Sequence, residues 1–276
     1  MPPATEVLSA APPGTAAALD RAAALLAAGQ LVAFPTETVY GLGADARDGK
    51  AVAEIYAAKG RPSFNPLIVH LADAEMARRY VTWSDAAEVL ASAFWPGPLT
   101  LVLPLRPGGE RVSDLVTAGL NSLAVRVPEQ ATARALLSRF GGPVAAPSAN
   151  PSGRISPTTA AHVLDGLEGR IAAVLDDGPC TVGLESTIVG LTGPQPVLLR
   201  AGGLPREALE AALGAPLDSQ RGEEIVAPGQ LASHYAPRAR VRLCAERAEG
   251  DELLLGFGKM DCDLNLSASG DLTEAA

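Results

Sequence analysis

Lys59-Gly60-Arg61-Pro62-Ser63-Phe64-Asn65-Pro66-Leu67-Ile68-Val69-His70-Leu71 is the stretch that decides the fold. A helical pattern over residues 50–59 ends at Lys59 and Gly60, and a proline-stiffened loop then leads into a short apolar run of strand length, Leu67 to Leu71. Helix, loop and buried strand in succession are the repeating unit of an α/β sheet. Residues two apart on a strand share a face, so His70 is expected beside Ile68. Two cations, Lys59 and Arg61, and the amide of Asn65 are held at the end of that strand rather than left in solvent.

Outward from this stretch the alternation repeats. Apolar runs stand at Leu31 to Phe34, Leu99 to Leu105, Leu123 to Val127, Val144 to Ala146, Ile171 to Leu175, Thr187 to Leu191 and Val197 to Leu199, each with Pro or Gly punctuation. Helical patterns lie between several of them, at residues 74–80, 85–94, 130–138, 158–164 and 205–213, and a first helix is expected from Thr15 to about Gly29. This mixed order predicts an α/β sheet with helices packed on it. After Gly214 the periodicity lapses. Residues 215–238 read as an interdomain linker, and residues 239–276 as the start of a small α/β C-terminal domain with strands at Arg240 to Leu243 and Glu252 to Phe257. About 40 residues rarely make an independent core, so that domain is expected to be truncated. Residues 1–214 are the expected main domain, with residues 1–12 as a disordered arm.

Composition excludes several classes of function. A net charge of −9 disfavours blanket neutralisation of phosphates, so direct RNA binding is expected to be weak or absent. Cys180, Cys244 and Cys262 are odd in number and far apart, which leaves no disulfide framework and no CxxC metal site, and no metal site made of protein side chains is predicted. Apolar stretches stay well short of the roughly 18 residues of a membrane span. Met1 to Pro12 has no Lys or Arg and so lacks a secretory start. A cytoplasmic protein without a membrane segment is expected.

Two glycine motifs are weak. Gly41-Leu42-Gly43-Ala44-Asp45-Ala46 fits a dinucleotide fingerprint, but Pro35 interrupts the preceding run and no acidic residue follows about 20 positions on. Gly43 to Lys50 imitates a phosphate loop with its glycines too far apart and Ala51 where Ser or Thr would bind magnesium. A stronger signal is the set of polar segments at strand ends, where α/β sheets build their sites. These are Pro35-Thr36-Glu37-Thr38-Val39-Tyr40-Gly41-Leu42-Gly43, the 59–67 loop, Pro147-Ser148-Ala149-Asn150-Pro151-Ser152-Gly153-Arg154-Ile155-Ser156-Pro157-Thr158, and Glu185-Ser186-Thr187 with Arg200. Each also has a bland reading: strand threonines in a turn, cations on a helix dipole, Ser156 as an N-cap, His70 as a core residue. Arg126 and Arg200 sit in apolar runs, where a cation needs a partner; a bound carboxylate or phosphate would be one.

In this order the four segments closely resemble the threonylcarbamoyl-AMP synthase family, over about Leu31 to Leu209 and on through Ser233-His234-Tyr235-Ala236-Pro237. The resemblance implies the YrdC-type fold, a twisted mixed sheet flanked by helices, followed by the linker and partial C-terminal domain. It implies that L-threonine, bicarbonate and ATP are joined into threonylcarbamoyl-AMP with release of pyrophosphate, Mg²⁺ being bound with ATP. A downstream threonylcarbamoyl transferase would then modify tRNA. By similarity Thr36, His70, Arg126 and Ser186 contact L-threonine. Lys59, Arg61, Asn65, Ser122, Ala146, Ser148, Asn150, Ser156 and Arg200 line the nucleotide, Lys59 and Arg61 serve catalysis, and Tyr235 closes over the site as part of a lid formed by residues 215–238. Gln130 and Gly190 depart from the family, which often has His and Asp there. Two rivals are an RNA-binding module, opposed by the acidity, and carbamoyl transfer in hydrogenase maturation, whose paired CxxC motifs this chain lacks.

Overall fold

A computed structural model gives the structure for residues 4–12, 14–219, 227 and 239–275. One sheet contains β1 (Glu6–Ser9), β2 (Val32–Phe34), β3 (Gly41–Asp45), β4 (Ile68–His70), β5 (Leu99–Pro104), β6 (Ser122–Arg126), β7 (Val144–Ala145), β8 (Ala173–Asp176), β9 (Thr187–Gly190), β10 (Val197–Arg200) and β11 (Asp218–Ser219). Their spatial order is β1-β8-β2-β3-β7-β4-β6-β5-β9-β10-β11. Interspersed helices are α1 (Thr15–Ala27), α2 (Gly49–Lys59), α3 (Ala74–Tyr80), α4 (Asp85–Phe94), α5 (Asp114–Thr117), α6 (Ala131–Phe140), α7 (Ala160–Leu167) and α8 (Arg206–Leu213). Parallel pairs such as β4 with β6 stand beside antiparallel pairs such as β4 with β7, so the sheet is mixed and flanked by helices, as the α/β reading expects.

Alternation along the strands divides the core between two faces. In β2 and the residue before it, Leu31 and Ala33 join one apolar cluster, with Ile55 of α2, Leu90 of α4 and Val163 of α7. Val32 and Phe34 point the other way, into a second cluster with Leu19 and Leu26 of α1 and Leu136 and Leu137 of α6. Farther along that second face, Ile68, Val102, Ala124 and Ile188 form a third cluster with the buried Ala227 and with no helical member among the described residues. A half covered by helices therefore adjoins one without them, on which Ala227 packs. Helix ends are set locally: Asp48, Asp73, Ser84 and Thr159 accept N-cap hydrogen bonds for α2, α3, α4 and α7, each cap contributing about 1 kcal/mol. Gly60 ends α2 at φ 60°, turning the chain into the 61–67 loop.

Several sequence expectations are corrected. The supposedly disordered arm contains β1, which pairs in parallel with β8, and Thr5 donates to the Ile171 carbonyl 166 positions away. Composition near Met1 cannot reveal a partner so distant. Gly41–Asp45, weighed as a nucleotide-binding turn, is a strand; a Cβ on Gly43 would lie 2.9 Å from Phe34 and 3.0 Å from Val144, so the glycine serves close packing. Thr159, not Ser156, caps α7. Within the expected linker, β11 pairs with β10 and Leu217 is buried, which ties residues 215–219 to the larger unit. Arg240 to Leu243 forms no strand. The expected strand over Glu252 to Phe257 contains β12 (Leu255–Gly256), which pairs in parallel with β13 (Leu264–Asn265), and the single turn α9 (Leu272–Ala275) follows. Tyr235 and the rest of 233–237 lie outside the described residues. No helix among the described residues is long and apolar enough to cross a membrane.

Candidate functional site

Beside the third cluster, one cavity of about 510 Å³, its mouth included, is lined by Thr36, Arg61, His70, Arg126, Ala146, Ser148, Ser186 and Arg200. Thr38 and Glu185 line it as well.

Its innermost wall begins at Pro35, which has no N–H to extend β2. Thr36 Oγ1 then accepts from the backbone N–H groups of Thr38 and Val39, both at 3.2 Å, and donates to the Val39 carbonyl at 2.6 Å. Arg126, at the end of β6, lies across this turn. Its Nη2 donates to Glu37 Oε1 at 2.6 Å, its Nη1 to Thr38 Oγ1 at 2.9 Å and its Nε to the Gly97 carbonyl at 3.3 Å. The fold itself thus supplies the carboxylate that sequence reading sought in a ligand. Three of the five guanidinium N–H groups are engaged by these bonds, leaving two for a bound anion. On the neighbouring strand His70 is buried against the edge of Phe34, 6.0 Å between ring centroids. Burial, followed by the nearby Arg126 charge, pushes the His70 pKa down to about 3, so the ring is neutral near pH 7. Its Nδ1 has no hydrogen-bond partner.

A second wall is made by the two loops that meet at Lys59. This ammonium is buried and donates to the carbonyls of Ser148 and Asn150, which pins the 148–150 loop beneath the end of α2. Burial, with Arg61 adding to it, holds the Lys59 pKa well below its ordinary value. Arg61 donates to the carbonyls of Asn65 at 3.4 Å and Pro66 at 3.1 Å, so its loop curls around its own guanidinium. The Asn150 amide nitrogen donates to the carbonyls of Pro151 and Arg154, at 3.0 and 2.8 Å. Asn65 Oδ1 and Asn150 Oδ1 are buried without a partner. Orphaned acceptors of this kind call for an explanation, and a ligand or water is the usual one.

The third wall is the start of β9. Ser186 Oγ lies 2.7 Å from Thr100 Oγ1, and Arg200 Nη2 donates to the Ser186 carbonyl at 2.8 Å and its hydroxyl at 3.1 Å. Gly202 lets this backbone approach: a Cβ there would stand 2.3 Å from the Glu185 carbonyl oxygen. Ser156 donates its hydroxyl to Glu185 Oε1, tying the 147–158 segment to this wall.

Eight expected residues therefore share the cavity. Lys59, Asn65 and Asn150 are buried, Ser156 is joined to Glu185 beside the cavity, and Ser122, at the first position of β6 opposite Pro104, is not among the lining residues. Sequence reasoning missed Glu37, Thr38, Thr100 and Glu185 as parts of the site. Glu37, Thr38 and Glu185 stand in the quoted motifs, and an arginine in an apolar strand was itself a signal to look for a buried acid. Thr100 betrays itself only as a polar break in an apolar run. Gln130 caps α6 and donates to Asp177 Oδ2 at 2.7 Å, while Gly190 admits Leu199, which a Cβ would approach to 3.0 Å. Cys180 is half-buried, and burial pushes its thiol up to about 12, which makes it a poor nucleophile.

Comparison with known proteins adds independent findings. A family model described as Telomere recombination, Sua5_yciO_yrdC, matches residues 24–202, and one described as Threonylcarbamoyl-AMP synthase, C-terminal domain, matches residues 204–270. The chain is similar to a threonylcarbamoyl-AMP synthase of Bacillus subtilis, with 48% identity over 82% of this chain and 66% of that protein. A threonylcarbamoyl-AMP synthase of Pyrococcus abyssi is 47% identical over 80% of this chain and 66% of its own length. This chain thus spans just under two thirds of those relatives. A crystal structure of P. abyssi Sua5 complexed with L-threonine superposes with a TM-score of 0.86 at 39% identity, covering 98% of this chain and 86% of that one.

Proposed function

The chain belongs to the Sua5/YciO/YrdC family, and from that premise we propose that it condenses L-threonine, bicarbonate and ATP into threonylcarbamoyl-AMP and pyrophosphate. The observation that carries this reading is the convergence of Arg61, Arg126 and Arg200 with the hydroxyls of Thr36, Ser148 and Ser186 on one cavity. Three arginines suit a carboxylate and a polyphosphate, and the reaction needs no protein nucleophile. Names of relatives, and the L-threonine complex of one of them, support the same assignment.

In this scheme the threonine amine forms an N–C bond to the bicarbonate carbon, a C–O bond of bicarbonate breaks, water leaves, and a carbamate results. A carbamate oxygen attacks the α-phosphorus of ATP, and the bond to the pyrophosphate oxygen breaks. Arg126 offers its two remaining N–H groups to the amino-acid carboxylate, and Thr36, Ser186 and the neutral His70 complete the amino-acid side. On the nucleotide side Arg61 and Arg200 face the phosphates with Ser148, Ser156, Ala146 and Asn150. Lys59 acts from behind, holding the 148–150 loop in place. Catalysis is then alignment plus charge stabilisation. Mg²⁺ is assigned to the substrate as Mg·ATP, where it would neutralise phosphate charge. Tyr235 and its segment are proposed to cover the site, and the product to pass to a threonylcarbamoyl transferase acting on tRNA in the cytoplasm.

Pyrophosphate release with ATP, L-threonine and bicarbonate, each omitted in turn, tests the proposal. Dependence on all three is expected; release without threonine would reduce the activity to ATP hydrolysis.

A further inference from the structure

Glu37 sits between two cavity-lining residues, Thr36 and Thr38, yet does not line the cavity itself. Its carboxylate is buried and fully used. Oε1 accepts from Arg126 Nη2 at 2.6 Å, and Oε2 accepts from the backbone N–H groups of Glu129 at 3.0 Å and Gln130 at 3.4 Å. Both partners of the ion pair have side chains only 4% exposed, which sets this pair apart from the other ion pairs of the described residues, all of them more exposed. Three parts of the chain meet at this one group: the 36–39 turn, the end of β6 and the residues leading into α6.

We propose that Glu37 is a positioning residue for substrate recognition: it fixes the Arg126 guanidinium so that its two unused N–H groups aim at the carboxylate of the amino-acid substrate. This rests on the proposed function of the same cavity. The physical case lies in what each side of Glu37 demands. Its surroundings present only donors, a guanidinium on one side and two backbone N–H groups on the other. A carboxylate, acceptor at both oxygens, satisfies them together. The Gln amide carries one acceptor and one donor group, so whichever way it turns its NH₂ faces a donor. Arg126 then loses either its anchor or the backbone that supports that anchor. The carboxylate also cancels the buried guanidinium charge without occupying the face that lines the cavity.

The test compares the full chain with Glu37→Gln and Glu37→Asp, measuring L-threonine affinity by calorimetry, KM for threonine and for ATP in pyrophosphate release, and thermal unfolding. Glu37→Gln should weaken threonine binding about tenfold or more, the scale of a lost charge-assisted hydrogen bond, while KM for ATP moves less than about threefold. Glu37→Asp, which keeps the charge on a shorter arm, should recover part of the loss. A folded Glu37→Gln with threonine affinity within about twofold of the parent, or equal losses toward threonine and ATP, would overturn the inference. If Glu37→Gln does not fold, Glu37→Asp decides: a selective rise in threonine KM supports positioning, and unchanged affinity refutes it. A parent chain that binds no threonine sinks the functional reading and this inference with it; a parent that binds as well as Glu37→Gln sinks the inference alone.

Discussion

The two flanks of the cavity are built differently. On one, Thr36, His70, Arg126 and Ser186 are between 1% and 3% exposed and locked by the Glu37 ion pair and the Thr36 turn. On the other, Arg61, Ser148, Ser156, Glu185 and Arg200 are only half-buried and sit on loops or at a strand end. A dry, rigid flank suits a small zwitterion whose every polar atom must be matched, because unmatched groups are expensive there. The wetter flank suits a larger, highly charged ligand that carries solvent and counterion with it. Burial thus distinguishes the charged and hydroxyl groups of the two flanks, although Lys59, Asn65, Ala146 and Asn150 of the second flank are themselves buried.

That contrast can be broken or sharpened by experiment. The largest effect on stability is expected for Arg126→Ala, which strands Glu37 as an uncompensated buried charge and should cost about 3 to 5 kcal/mol in denaturant unfolding. A loss below about 1 kcal/mol would mean that the inner flank is no more rigid than the outer. Arg61→Ala should do the reverse: unfolding nearly unchanged, but pyrophosphate release slowed by about 2 to 4 kcal/mol of transition-state stabilisation. His70 supplies the pH dependence. Its folded pKa of about 3 lies below the unfolded value, so the unfolded chain takes up the proton first as the pH falls. Stability from this group is complete above roughly pH 6.5 and is lost toward pH 3, a loss of about 2 kcal/mol by pH 5. Comparing unfolding at pH 7 and pH 5, His70→Asn should flatten that dependence; an unchanged slope would show that the ring is not held neutral by burial. Smallest is Ser122→Ala. Ser122 does not line the cavity, so pyrophosphate release should change by less than about 0.5 kcal/mol, and an effect as large as that of Arg61→Ala would extend the nucleotide flank to the start of β6.

Much of this architecture was legible along the chain. Apolar runs such as Leu99 to Leu105 announce central strands because burial on both faces leaves no room for polar alternation. Helices were legible through their spacing and their Gly stops. By contrast β1 and β11 are edge strands whose hydrogen bonds go to distant partners, and β3 is rich in glycine, so none of the three carries a local signature. In the site, residue type alone left each polar segment a bland reading, and it was the resemblance of the four segments in order to a known family that singled out Thr36, Arg61, His70, Arg126, Ser148, Ser186 and Arg200.

Local physics and residue chemistry, then, determined the α/β class, most strands and helices, and the family to which the motifs point. Tertiary structure alone decided which side chains face the cavity and which stand behind it. It turned Lys59 onto the carbonyls of Ser148 and Asn150, gave Arg126 the carboxylate of Glu37, and left Asn65, His70 and Asn150 with unanswered polar atoms. The reason is physical: a buried charge or amide takes its meaning from the partners that surround it, and those partners come from strands far apart in sequence.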